Sequence, residues 1–154
     1  MKQSAGILLY KKTDDGLRFF LVHPGGPFWK NKDLGAWSIP KGEFADDENP
    51  LDAAVREFEE ETGTKLAGGF SHLNPIKMKS GKTINAWAIE GDINADGINS
   101  NTFDIEWPPK SGKQLTIPEV DKGGWFTVTE AVKKINPAQA DLIHQVANRQ
   151  SEKT

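Results

Sequence analysis

The chain has 154 residues, 27% of them charged and 36% hydrophobic, with a net charge of −3 and no cysteine. That length suffices for one globular domain with a real core, and the absence of thiols excludes disulfides, cysteine nucleophiles and cysteine-ligated zinc. No apolar run reaches membrane-spanning length, and MKQSAGILLYKK is too short in its apolar part, and too poor in a cleavage site, for a secretory signal. The expectation is a cytoplasmic protein, with residues 1–154 as a single domain.

In chain order, Ser4–Lys12 and Leu17–His23 read as strands around an Asp14-Asp15-Gly16 hairpin turn. Pro24–Gly35 is a Gly/Pro loop long enough to reach a ligand, and Ala36–Ile39 is a short strand candidate leading through Pro40 and Lys41. A helix follows over Pro50–Thr62. Phe70–Met78 and Thr83–Glu90 are predicted strands about a Ser80-Gly81 turn, and residues 91–101 are a loop. Thr102–Trp107 and Gly124–Thr127 are further strand candidates, separated by a polar segment containing Pro108, Pro109 and Pro118. Thr129 is placed to cap a short helix through Lys134, and Pro137–Arg149 carries Ala140, Ile143, Val146 and Ala147 at helical spacing. Strands interrupted by one helix and closed by another indicate an α/β layered domain.

The helix over Pro50–Thr62 has well-marked ends. Asn49 is a capping residue, Pro50 suits the first helical position, Asp52 suits the positive N-terminus, and Gly63 can close the last turn. On a helical wheel Leu51, Ala54, Val55 and Phe58 form a buried stripe, whereas Glu57, Glu60 and Glu61 share a second face with Ala53. Each i,i+3 or i,i+4 pair of glutamates costs about 0.2–0.5 kcal/mol, and the group sits near the negative end of the helix dipole. Nine of the 22 acidic residues fall between Glu43 and Glu61 with only Arg56 to oppose them, while the remainder of the chain is net basic. A solvated acidic face is the bland explanation. Clustered carboxylates facing a cleft are also what hard divalent cations such as Mg²⁺ or Mn²⁺ require.

The segment GEFADDENPLDAAVREFEEETGT resembles the signature of the Nudix family, the Nudix box. Gly42, Glu48, Arg56, Glu57, Glu60, Glu61 and Gly63 occupy its fixed positions; Phe58 and Thr64 depart from the bulky aliphatic residues of the pattern. The resemblance implies an α/β/α sandwich with a mixed sheet and the box as a loop–helix–loop. It implies Mg²⁺ or Mn²⁺ bound by Glu57, Glu60, Glu61 and the main-chain carbonyl of Gly42, hydrolysis of phosphoanhydrides, and a supporting pair of Arg56 with Glu48. By helix geometry alone Arg56 can either orient Glu60 or point elsewhere.

SAGILLY and WSIPKGEF also look like members that cleave dinucleoside polyphosphates. In those members a glutamate six residues before a Trp can serve as general base, which singles out Glu119 ahead of Trp125, with Asp121 as a weaker substitute. Lys41 lies beside the expected metal site and is a candidate for contacting phosphate. Ala86 departs from the aromatic that those hydrolases carry, so NTPs, nucleotide sugars and ADP-ribose stay open as substrates, as does a noncatalytic domain that binds nucleotide or RNA. The implied partner is a nucleotide-type small molecule, with no membrane, no extended nucleic-acid binding, and a monomer or homodimer. The five tryptophans include no ring assignable to base stacking. Asp92-Ile-Asn94-Ala-Asp96-Gly97 begins like a calcium loop, but its twelfth position is Phe103. His23, His72 and His144 default to surface or packing roles.

Overall fold

The computed structural model describes residues 2–152; Met1, Lys153 and Thr154, at the ends of the expected 1–154 domain, lie outside them. Among the described residues there are nine strands in chain order: β1 (Gln3–Thr13), β2 (Gly16–Pro24), β3 (Lys41–Glu43), β4 (Ser71–His72), β5 (Ile76–Lys77), β6 (Thr83–Glu90), β7 (Thr102–Glu106), β8 (Gln114–Pro118) and β9 (Val120–Phe126). Helices α1 (Pro50–Thr62), α2 (Val128–Lys134) and α3 (Ala140–Glu152) complete it. The main sheet runs β4-β6-β1-β2-β9, with β3 beside β1 and β5 beside β6. It is mixed, because β1 and β6 are parallel while the other pairs are antiparallel.

Alternation along β1 and β2 supplies one apolar face for each of two helical layers. Ala5, Ile7, Leu9, Phe20 and Val22 point to one side and pack with Ala53, Ala54 and Phe58 of α1. Leu8, Tyr10, Phe19 and Leu21 point to the other, against Ala131, Leu142, Ile143 and Val146 of α2 and α3. The result is the α/β/α sandwich that the resemblance implied.

One irregularity shapes the functional side. β2 pairs with the end of β1 over Tyr10–Thr13, then separates from it, and residues 38–43 fill the gap. Ser38 exchanges backbone hydrogen bonds with Val22, the Ile7 amide donates to the Pro40 carbonyl, and Lys41–Glu43 pairs with Ser4–Gly6. A Cβ on Gly6 would lie 2.6 Å from the Pro40 carbonyl oxygen and 2.7 Å from the Lys41 Cβ, so only glycine permits this wedge.

Several local expectations are corrected. Ala36–Ile39 forms only isolated bridges at Trp37 and Ser38, and the ladder starts after Pro40, which has no amide to donate. Phe70–Met78 is broken into β4 and β5 around Pro75 for the same reason. The polar segment after Pro109 contains β8, which pairs with β7, and β9 begins at Val120 rather than Gly124. Thr127, not Thr129, caps α2, through a reciprocal capping box with Glu130. Residues 137–139 form a 3₁₀ turn ahead of α3.

Phe58 is fully buried, with its ring centroid 6.0 Å from that of Phe20, and it joins α1 to the sheet. Phe58→Ala is expected to lower unfolding free energy by about 3–5 kcal/mol in urea titrations; a loss below about 1 kcal/mol would contradict this packing.

Candidate active site

The helix carrying the acidic face begins and ends as its local sequence dictates. Asn49 accepts from the Asp52 amide, and Gly63 adopts φ +82° so that its amide closes on the Glu59 carbonyl. Glu57 and Glu61 are buried, at 7% and 5% exposure, whereas Glu60 is half-buried. Glu61 accepts a hydrogen bond of 3.1 Å from the Lys41 amide. The Gly42 backbone abuts the Glu57 carboxylate so closely that a Cβ at Gly42 would overlap it.

A strap of loop brings in the distant Glu119. The amides of Asn99 and Asn101 donate to the Thr62 and Glu60 carbonyls at the end of α1, positions with no acceptor duty inside the helix. The Asn101 carbonyl in turn accepts from the Glu119 amide at 2.9 Å, and the Ser100 hydroxyl accepts from the Val120 amide at 3.1 Å. Carboxylate oxygens of Glu57, Glu61 and Glu119 thereby lie within 4.8 Å of one another.

Glu60 stands outside that group. The expected trio is Glu57, Glu60 and Glu61; the oxygens that approach within 4.8 Å of one another are those of Glu57, Glu61 and Glu119, with Glu60 near enough to act on Glu57 and Glu119 electrostatically. Arg56 bridges the two groups of acids: its Nη1 donates to Glu60 at 3.2 Å and to Glu57 at 2.9 Å. Its Nε and Nη2 make a two-bond clasp on Glu48 at 2.9 and 3.0 Å. Both alternatives left open for Arg56 are thus realised together, and its guanidinium pKa is raised, chiefly by the Glu48 bond. The same bond lowers the Glu48 carboxyl.

The electrostatics are those of acids gathered out of water. Burial raises the pKa of Glu61 to about 9, reinforced by repulsion from Glu57 and Glu119. Burial likewise raises Glu57 and Glu119, with Glu60 as the next contributor to each. Lys41 is lowered by burial first and by Lys82 second. Among the described residues no ion pair reaches Glu61 or Glu119. Burying such groups is costly without a counter-charge, and three converging oxygens with an adjacent bare backbone are a fitting donor set for a hard divalent cation.

Lys41, Glu61 and Glu119 open into a cleft of about 410 Å³ whose other walls include Val22, Ile39, Val120 and Phe103. The sequence did not single out Phe103. Reading TFDIE and QLTIP as two alternating strands would have exposed it. His23, with a surface or packing role as its default, has the packing one: it is 1% exposed and links Asp121 (2.9 Å) to the Lys32 carbonyl (2.6 Å), tying the 24–35 loop to β9. Ser38 and Gln139 form a second buried link, with the Ile39 amide donating to Gln139 at 3.1 Å. Ala86 is fully buried in the core. Residues 95–97 form a 3₁₀ turn, and Asp92 pairs with Lys11.

A mixed sheet between helical layers, with an acidic helix end facing a cleft, defines an α/β/α sandwich domain with a candidate site at one end of α1. The NUDIX domain family model matches residues 2–146. The chain belongs to the Nudix family. It is similar to a "Putative mRNA-decapping protein" of Acanthamoeba polyphaga mimivirus, with 34% identity over 134 residues, 79% of this chain. The match spans only 31% of the length of that viral protein. In three dimensions it resembles a Caenorhabditis elegans Ap4A hydrolase solved as a binary complex, with a TM-score of 0.70, 19% identity and 99% of each chain covered. It also resembles the NUDIX domain of Shewanella oneidensis NrtR, solved with ADP ribose, with a TM-score of 0.65, 17% identity, and 96% and 87% coverage. Among the described residues no helix is long and apolar enough to cross a membrane.

Because Glu61 ionises near 4.5 when unfolded and near 9 when folded, its contribution to stability is complete below about pH 4.5 and is lost as pH rises through about 9. The melting temperature of metal-free protein is expected to fall across that window. Glu61→Gln, neutral throughout, is expected to recover about 3 °C or more at the alkaline end in calorimetric scans. Parallel curves for the two proteins would contradict the burial of an uncompensated acid.

Proposed function

We propose that the chain is a divalent-metal-dependent hydrolase of phosphoanhydride bonds in nucleoside diphosphate-linked compounds, with dinucleoside polyphosphates or NTPs as substrates. The observation that carries this reading is the convergence of Glu57, Glu61 and Glu119, the last two of which line one cleft with Lys41. Similarity to a hydrolase of Ap4A supports the substrate class.

Glu57, Glu61 and Glu119 would hold Mg²⁺ or Mn²⁺, with the Gly42 carbonyl as a backbone donor and Glu60 as an outer one. Such a cation supplies charge neutralisation at phosphate oxygens and makes water a stronger acid. Lys41 is positioned to contact the polyphosphate. Glu119 faces α1 from β9's leading edge and takes the proton as the water oxygen bonds to phosphorus and the anhydride P–O bond breaks. The leaving phosphate departs with its electron pair and is protonated from solvent. Arg56 and Glu48 hold Glu57 and Glu60 in position without touching substrate.

A second reading is favoured by the viral relative: the nucleoside diphosphate-linked compound is a capped RNA 5′ end. Incubating the protein with dinucleoside polyphosphates, NTPs, ADP-ribose and capped oligonucleotide in ¹⁸O-water, with products read by mass spectrometry, separates these substrates and identifies the bond cut. Hydrolysis is expected with Mg²⁺ or Mn²⁺ and not with EDTA. Glu119→Gln is expected to lower kcat by about 10²–10⁴-fold, and Glu61→Gln to abolish the metal-dependent thermal shift. Near wild-type turnover by folded Glu61→Gln would overturn the metal assignment.

A further inference from the structure

The β7–β8 hairpin forms a two-stranded sheet of its own, joined to no other strand among the described residues. Its two faces are unequal. Cross-strand partners share a face, so Phe103 with Ile117 and Ile105 with Leu115 make an apolar side, while Asp104 with Thr116 and Glu106 with Gln114 make a polar one. The polar side is internally bonded, the Thr116 hydroxyl donating to Asp104.

The apolar side is buried only at its root. Ile117 is 7% exposed and sits against the backbone of Gly26, where a Cβ would meet its Cδ1 at 2.6 Å. Directly across from it Phe103 is 45% exposed, and one pair nearer the tip on the same face Leu115 is 39% exposed. An isolated two-stranded hairpin is marginal in water, and apolar side chains left in solvent do not help it fold. Phe103 also lines the cleft that holds Lys41, Glu61 and Glu119, facing a floor of buried Val22, Ile39 and Val120. One cleft therefore combines a charged part with an aromatic-lined apolar part. A nucleoside polyphosphate has the same division, a polyanionic chain on a flat, weakly polar ring system.

We propose that Phe103, backed by Ile105 and Leu115, is the specificity-determining surface on which the base of the substrate nucleoside stacks, with the hairpin as that subsite's outer wall. This rests on the reading of the cleft as a site for nucleoside polyphosphates and adds which residue recognises the nucleoside. Stacking is tolerant of base identity, because every base presents a π-face, so Phe103 selects for the presence of a base more than for its kind.

The test is calorimetric binding to the full chain in Mg²⁺, using non-hydrolysable bis-methylene triphosphate analogues of adenosine and guanosine and, as the base-free probe, inorganic tripolyphosphate. Phe103→Ala is expected to weaken the tighter nucleoside analogue about tenfold or more, with a much smaller change for tripolyphosphate. Phe103→Trp is expected to restore the nucleoside affinity, and Thr116→Val, on the opposite face, to retain it. Equal nucleoside affinity in wild type and Phe103→Ala overturns the proposal, as does equal weakening of both probe types. So does a wild type that binds the nucleoside analogues no better than tripolyphosphate. A change in solution mass on Phe103→Ala with unaltered nucleotide binding also overturns it, by showing that the face covers a second copy of the chain. Because no turnover is needed, hydrolysis surviving in Glu61→Gln would sink the catalytic reading while leaving this result standing.

Discussion

Three carboxyl groups held within 4.8 Å of one another, two of them buried, set the terms for everything around them. Such an arrangement repels itself and loses hydration, so the scaffold must hold it from several directions. The backbone at Gly42 leaves room for Glu57, the Lys41 amide engages Glu61, and the 99–101 strap draws Glu119 against the end of α1. Arg56 neutralises only part of the charge, because its five donors are spread over Glu48, Glu57 and Glu60. What it leaves uncompensated is the part that faces the cleft, and there the carboxyls are pushed toward the neutral form.

The cleft itself follows from the parting of β1 and β2. With β2 turned toward β9, the 38–43 segment enters between the two strands and places Lys41 and Gly42 beside α1. Gly6 is the enabling residue in β1, since any side chain there would meet the Pro40 carbonyl. Buried side-chain bonds keep the surrounding loops in register: His23 ties the 24–35 loop to Asp121, and Gln139 ties residues 38 and 39 to the start of α3. These groups are polar and enclosed, and each has its partner, which favours one arrangement of the loops over alternatives.

By itself the sequence determined α1 from Pro50 to Thr62, β6 from Thr83 to Glu90, the first hairpin and the family signature. These are local properties: a cap, a glycine with positive φ, a turn and a period act within a few residues of themselves. It also identified Glu57, Glu61 and Glu119 as residues to watch, the last only through family resemblance. Where prolines dominated, local reading failed, and β8 was hidden because QLTIP lies in a polar stretch between Pro109 and Pro118 and shows its apolar face only when paired with β7 across the Trp107–Lys113 turn. Tertiary structure alone decided that Glu119 lies within 4.8 Å of Glu57 and Glu61, and that Arg56 bonds Glu48, Glu57 and Glu60 at once. Helical spacing assigns a side chain to a face but not to a neighbour, and the neighbour depends on the long-range hydrogen bonds through Asn99, Ser100 and Asn101.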